Sequence, residues 1–223
     1  NDFNFILNSN NLPNKEIKLI LDKNKNIKFI KSNIEDIESV YDCVMRSDHV
    51  IHLASKVGNS KCEEDVKKTF DTNVLGALNI LKACSDSNKS ITYLSLPNLE
   101  DHSLYALSKS SADRFAQMYL DFRGLDISII RLFNCYGEQQ DLNSGKLIVN
   151  SIHKSLKNSD ILINGDGSNK LNLIYISDAI KCLTKSIINH KKGIFYIGSN
   201  LEISVKEIVS TIIEEANSKS KIL

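Results

Sequence analysis

Short apolar runs alternate with longer helical patterns along the 223-residue chain, and this alternation constrains the fold more than any other feature. The runs predicted as strands are Phe3–Leu7, Ile27–Ile30, His49–Leu53, Ile91–Leu94, Ile127–Leu132 and Ile194–Ile197. Between them, helical patterns are predicted at Ile37–Met45, Asp65–Ser85, Leu104–Phe122 and Lys146–Lys157. Apolar strands separated by helices predict an α/β fold with a parallel sheet covered on both faces. In such sheets ligands sit beyond the carboxyl ends of the strands, so the residues following each strand are the ones to read for function. Two segments break the rhythm. Residues 158–180 hold two extended runs around Asn164-Gly165, which predict a hairpin. Near the end, Ser204 precedes an apolar-periodic run with Glu207 three positions on, the pattern of a capping box.

The charges nearly cancel, at a formal net +1, which argues against a nucleic-acid or polyanion binder. No apolar run approaches the roughly 20 residues that span a bilayer, and no charged-then-apolar leader opens the sequence. Cys43, Cys62, Cys84, Cys135 and Cys182 are scattered and odd in number. This predicts free thiols in a reducing, cytoplasmic setting, with no disulfide framework and no metal site. The sequence opens on Asn1 rather than Met, which reads as a processed product or a fragment.

Tyr105 and Lys109 stand four positions apart on a predicted helix that follows a predicted strand. At that spacing the two side chains share one face. A neighbouring ammonium stabilises a tyrosinate, lowers the phenol's pKa and makes it a usable base. The alternative is a surface tyrosine lying on a lysine stem.

Six motifs occur in order: VIHLAS (Val50–Ser55), NVLGALNILKAC (Asn73–Cys84), YALSK (Tyr105–Lys109), RLFNCYG (Arg131–Gly137), GDGSNKLNLIYISDAI (Gly165–Ile180) and GIFYIGSN (Gly193–Asn200). Together they resemble the extended short-chain dehydrogenase/reductase superfamily, in its branch of NAD-dependent nucleotide-sugar epimerases and dehydratases. The resemblance implies a Rossmann-type sheet with a small interleaved substrate domain. It divides the chain into a partial dinucleotide-binding domain at 1–137 and a partial substrate-binding region at 138–223, with 170–200 returning in part to the first. It implies NAD or NADP as cofactor and a nucleotide-sugar substrate. Tyr105 would be the acid/base, Lys109 its partner and a ligand of the nicotinamide ribose, and Ser95 the catalytic hydroxyl. Asn8, Asn33, Ile34, Leu53, Ala54, Ser55 and Asn73 would face the cofactor, and Asn134 and Lys170 the substrate. Asn73 reads equally as a cap or pin for its own helix, and His52 as a satisfied, half-buried histidine. The resemblance also implies a homodimer through the helices at 65–85 and 104–122, with Phe115, Met118, Tyr119 and Phe122 as an apolar stripe or as core.

Four departures from the family pattern bear on function. The family's opening strand and GxxGxxG turn have no counterpart, since the earliest glycine is Gly58, so the first βα unit reads as missing. Asn8 and Asn33 stand where acidic residues would meet the adenosine, leaving NAD against NADP open. Leu96 or Pro97 falls in register with the catalytic hydroxyl, with Ser95 or Ser103 as replacements. Leu171 falls on the arginine that clamps the nucleotide diphosphate, and a leucine makes no charge-assisted bond. The expected function is therefore an epimerase or dehydratase working through Tyr105 and hydride transfer. The alternatives are a degenerate, non-catalytic relative used for binding or assembly, and a reductase of a non-nucleotide carbonyl.

Overall fold

A computed structural model describes residues 3–189 and 191–223; Asn1 lies outside them. The strands are β1 (Phe5–Ser9), β2 (Ile27–Lys31), β3 (His49–His52), β4 (Ser90–Ser95), β5 (Ile127–Leu132), β6 (Asn134–Tyr136), β7 (Lys170–Tyr175), β8 (Gly193–Ile197) and β9 (Glu202–Ser204). The helices are α1 (Lys15–Lys23), α2 (Ile37–Met45), α3 (Asn59–Glu64), α4 (Val66–Phe70), α5 (Gly76–Asp86), α6 (Leu104–Phe122), α7 (Leu147–Leu156), α8 (Ile176–Ile188) and α9 (Val205–Glu215). The chain divides into two compact units, residues 1–130 with 189–195, and residues 131–188 with 196–223.

Helices begin where a polar side chain satisfies the free amides of a first turn. The Asp36 carboxylate accepts from the Glu38 and Ser39 amides at the start of α2. The Ser103 hydroxyl accepts from Ala106 N at 3.2 Å at the start of α6. Ser204 and Glu207 cap α9 reciprocally, as their spacing predicts. Helices α2 and α6 have the bounds their apolar periodicity predicts. The predicted helix 65–85 is interrupted. Asp65 caps α4, and α4 passes through a π turn at Asp71–Leu75 before continuing as α5.

In the first unit β1 pairs with β2 in parallel, Phe5 opposite Ile27. The first strand thus lies two residues later than its apolar run predicts. A second sheet has the order β3-β4-β5-β8. One face of its central strands packs into the apolar core: Ile91, Ile127 and Ile129 are buried with Leu81 of α5 and with Val40 and Val44 of α2. Burying one such side chain contributes about 1.5–3 kcal/mol.

In the second unit β6 and β7 are parallel and β7 and β9 antiparallel. The hairpin predicted around Asn164-Gly165 does not form. Gly165 and Gly167 do turn the chain, with φ of 72° and 74°. The arm before the turn, however, bridges Ile161 to Ile222, with Ile161 N donating to Lys221 O at 2.8 Å. The C-terminal segment occupies the edge that a hairpin partner would need. Among the described residues no helix is long and apolar enough to cross a membrane.

His52 ends β3 fully buried, its ring 5.3 Å from that of Tyr93. Burial, aided by the Lys109 charge, pushes its pKa down to about 3. The unfolded chain binds this proton near pH 6.5 and the folded chain does not, so stability falls as pH drops from 6.5 towards 3. The slope from this group is at most about 1.4 kcal/mol per pH unit. His52→Leu removes that share: urea denaturation at pH 4.5 and 6.5 should give a smaller loss for the variant than for the native chain.

Candidate active site

The rod formed by α4, the π turn and α5 pins the loops that follow β2 and β3. Asn79 Nδ2 donates to Ile34 O at 3.0 Å and to Glu35 O at 3.1 Å. The Glu35 carboxylate receives the Thr72 hydroxyl at 2.8 Å and the Lys68 ammonium at 2.7 Å. Gly76 is required by this closeness, since a Cβ there would lie 2.6 Å from Ile34 Cγ2.

Asn73, inside the π turn and buried, reaches further. Its Oδ1 accepts from Lys56 N at 2.7 Å and from the Ser55 hydroxyl at 3.0 Å. Its Nδ2 donates to Lys56 O at 3.0 Å and to Ser108 Oγ at 2.9 Å. Ser108 in turn donates to Tyr105 O at 2.8 Å. One amide thereby ties the loop after β3 to the first turn of α6. Sequence reasoning names Asn73 but not Ser108, whose only signal is its place inside YALSK.

The face of α6 towards β4 carries the titratable groups. Lys109 is buried, and its Nζ donates to Leu94 O at 2.8 Å and lies 5.1 Å from the Tyr93 ring centroid. Burial pushes its pKa down to about 8, against a smaller opposite effect from Asp113. Tyr105 is half-buried, and burial, then the Cys62 thiol, raises its pKa. This corrects the direction expected from the pair's spacing. The ammonium is committed to a backbone carbonyl of β4, and desolvation of the phenol prevails. Ser95 closes β4 with its hydroxyl buried and without a partner, as is the hydroxyl of Tyr93. Tyr93, fully buried against the Lys109 ammonium, is a residue that sequence reasoning does not identify. Ser103 is engaged as the α6 cap, its hydroxyl accepting from Ala106 N.

The cofactor candidates fall into two sets. Asn8, Asn33, Ile34, Leu53, Ala54 and Ser55 all line one cavity of about 790 Å³, at the ends of β1, β2 and β3. Asn8 donates to Ser32 Oγ at 2.6 Å, and Asn33 accepts from Glu35 N at 3.3 Å, which shapes its own turn. Asn73 and Lys109 act from the α5 and α6 side. Asn134 and Lys170 belong to the second unit. There Asn134 Nδ2 donates to Asn172 O at 3.3 Å, and Lys170 is exposed opposite Ser204. Leu171 pairs with Ile203, and the Asn172 amide accepts from Ser199 N at 2.9 Å. On α6, Phe115 and Phe122 are exposed and Met118 and Tyr119 half-buried.

Parallel strands, covering helices and loops converging on a cavity at the strand ends define a Rossmann-type α/β protein. The chain belongs to the NAD dependent epimerase/dehydratase family, whose model matches residues 7–198. It is 29% identical over 220 residues to a UDP-N-acetyl-alpha-D-glucosaminuronate decarboxylase of Bacillus cytotoxicus, across 89% of this chain and 68% of that protein. It is 30% identical over 203 residues to a putative UDP-glucose 4-epimerase of Methanocaldococcus jannaschii, across 83% of this chain and 63% of that protein. The chain thus spans about two-thirds of the length of these relatives. Its fold is similar to that of the dTDP-glucose 4,6-dehydratase of Streptomyces venezuelae, with a TM-score of 0.88 at 21% identity, over 99% of this chain and 74% of that one.

Two measurements check this geometry. Asn73→Ala strands the half-buried backbone N–H and C=O of Lys56 and should lower unfolding free energy by about 1–3 kcal/mol in urea titration. Lys109 binds its proton less tightly when folded than when unfolded, so its contribution to stability rises with pH from about 8 towards 10. Stability measured across that interval should rise less in Lys109→Met than in the native chain.

Proposed function

We propose that this chain carries the core of an NAD-dependent enzyme that oxidises and re-reduces, or eliminates from, a nucleotide-activated sugar. The observation that carries this reading is the site at the end of β4. There a buried lysine is anchored to Leu94 O, a half-buried tyrosine stands one turn earlier on the same helix, and the last residue of β4 carries a buried, unpartnered serine hydroxyl. The UDP-sugar names of two relatives support UDP as the nucleotide.

In this reading Tyr105 exchanges a proton with a sugar hydroxyl. Its raised pKa keeps it protonated at rest, so it donates readily and accepts only once a substrate anion or cofactor charge offsets the desolvation. The Ser95 hydroxyl donates to the reacting sugar oxygen. Lys109 holds its ammonium at the carboxyl end of β4, where a ribose hydroxyl would bind. Bound NAD would supply the hydride acceptor and donor. The orphaned hydroxyls of Tyr93 and Ser95 beside a buried ammonium fit the polar nicotinamide end of such a group, and Asn8, Ala54 and Ser55 fit its adenosine end. The described residues offer no glycine-rich turn for the pyrophosphate. Leu96 and Leu171, set where a hydroxyl and an arginine would stand, favour a second reading, a chain that binds but does not turn over.

Calorimetric titration with NAD, then with UDP and UDP-glucose, separates the two. The enzyme reading expects binding accompanied by conversion of a UDP-sugar, and a fall of about 10²–10⁴-fold in turnover for Tyr105→Phe. NAD binding with no conversion of any UDP-sugar supports the second reading, and full activity in Tyr105→Phe rules out the proposed acid/base.

A further inference from the structure

Among the described residues one lysine and one carboxylate are buried, and both stand on α6. Lys109 is 6% exposed and Asp113 0%. Four positions apart on a helix, they share one face, with β-carbons about 5–6 Å apart. Asp113 thus follows Lys109 by one turn, as Lys109 follows Tyr105. Lysine and aspartate are almost never fully buried unless paired. Gln117, one turn further on, fixes the carboxylate: its Nε2 donates to Asp113 Oδ2 at 2.5 Å. The Asp113 charge makes Lys109 hold its proton more tightly, against the larger effect of burial.

The other groups around Lys109 bring no such charge. His52 of β3 is buried and held neutral. Tyr93 of β4 lies 5.1 Å from the ammonium, and burial and the Asp113 charge keep its phenol protonated. On α6 itself the Tyr105 phenol is kept protonated by burial, and the buried Cys62 of α3 acts on it in the same direction. The carboxylates of the rod packed on α6 are engaged elsewhere: Asp71 receives the Lys67 ammonium at 2.5 Å, and Asp65 caps α4 through Lys68 N at 2.9 Å. The Leu94 carbonyl places the ammonium but is uncharged.

We propose that Asp113 is a positioning residue: its carboxylate, fixed by Gln117, is the buried counter-charge that keeps Lys109 an ammonium on Leu94 O. Lys109 has little margin, since its pKa is already pushed down to about 8. Without the counter-charge it becomes a neutral amine closer to neutral pH. A neutral amine neither stabilises a tyrosinate at Tyr105 nor gives a charge-assisted bond to a ribose hydroxyl. The value of Asp113 to the reaction rests on the role proposed above for Lys109, but its action on the ammonium is read without turnover.

The test is an NMR titration of the full-length protein labelled with 13C at lysine Cε, in which the Lys109 signal is the one missing from Lys109→Met. Asp113→Asn keeps an acceptor for Gln117 and removes only the charge. Its Lys109 signal should titrate at least about half a pH unit lower than in the native protein. An unchanged midpoint overturns the proposal and leaves Asp113 with a structural role only. Should Asp113→Asn fail to fold, Lys109→Met/Asp113→Asn decides, because removing both members of a buried charge pair is far less costly than removing one. The double variant should recover the fold; a double variant that also fails to fold overturns the proposal. A lowered midpoint in Asp113→Asn with no change in the pH dependence of sugar turnover leaves the counter-charge standing and counts only against a part for Lys109 in the reaction.

Discussion

The buried amide of Asn73 is the interaction from which the candidate site hangs. All four of its hydrogen-bonding positions are used, two by Lys56, one by Ser55 and one by Ser108. A buried amide with every position satisfied contributes modestly, but removing it exposes each partner to the full desolvation cost. Through Ser108 the constraint extends to the backbone of Tyr105, and through α6 to Lys109. The loop after β3 and the helix bearing the proton-transfer groups are therefore positioned by one side chain rather than by two independent packings.

Burial, more than charge pairing, sets the protonation states at this site. His52 is held neutral, Lys109 is brought close to neutral pH and Tyr105 is kept protonated, each for the same reason. Desolvation acts on His52, Lys109 and Tyr105 alike, and the Lys109 charge adds to it at His52. The cost of carrying three ionisable groups there falls on the first unit, whose remaining core is well packed.

Much of this was legible in the residues, and the remainder shows why some of it was not. Helices α2 and α6 are readable because their apolar periodicity and their Asp36 and Ser103 caps are local. The loops after β1, β2 and β3 are readable because strand ends fix them. The failed hairpin is different: Asn164-Gly165 turns as expected, but the partner of Ile161 lies about 60 residues away at Ile222, and no local pattern encodes that. The direction of the Tyr105 shift was misjudged for a related reason. Four-residue spacing gives adjacency, whereas pKa depends on burial and on where Lys109 sends its hydrogen bond. Tyr93 and Ser108 escaped notice because a tyrosine in a strand and a serine in a helix carry no distinguishing periodicity.

The π turn at Asp71–Leu75 also bears on how such a chain can evolve. Lys68 before the turn and Thr72 within it meet Glu35, and Gly76 and Asn79 after it meet Ile34 and Glu35. An α-helix advances about 100° per residue. Losing a single codon within the turn would restore regular helix and rotate the later contacts away from the earlier ones. This rod should therefore accept substitutions far more readily than changes in length, and length variation among its descendants should collect in the loops instead.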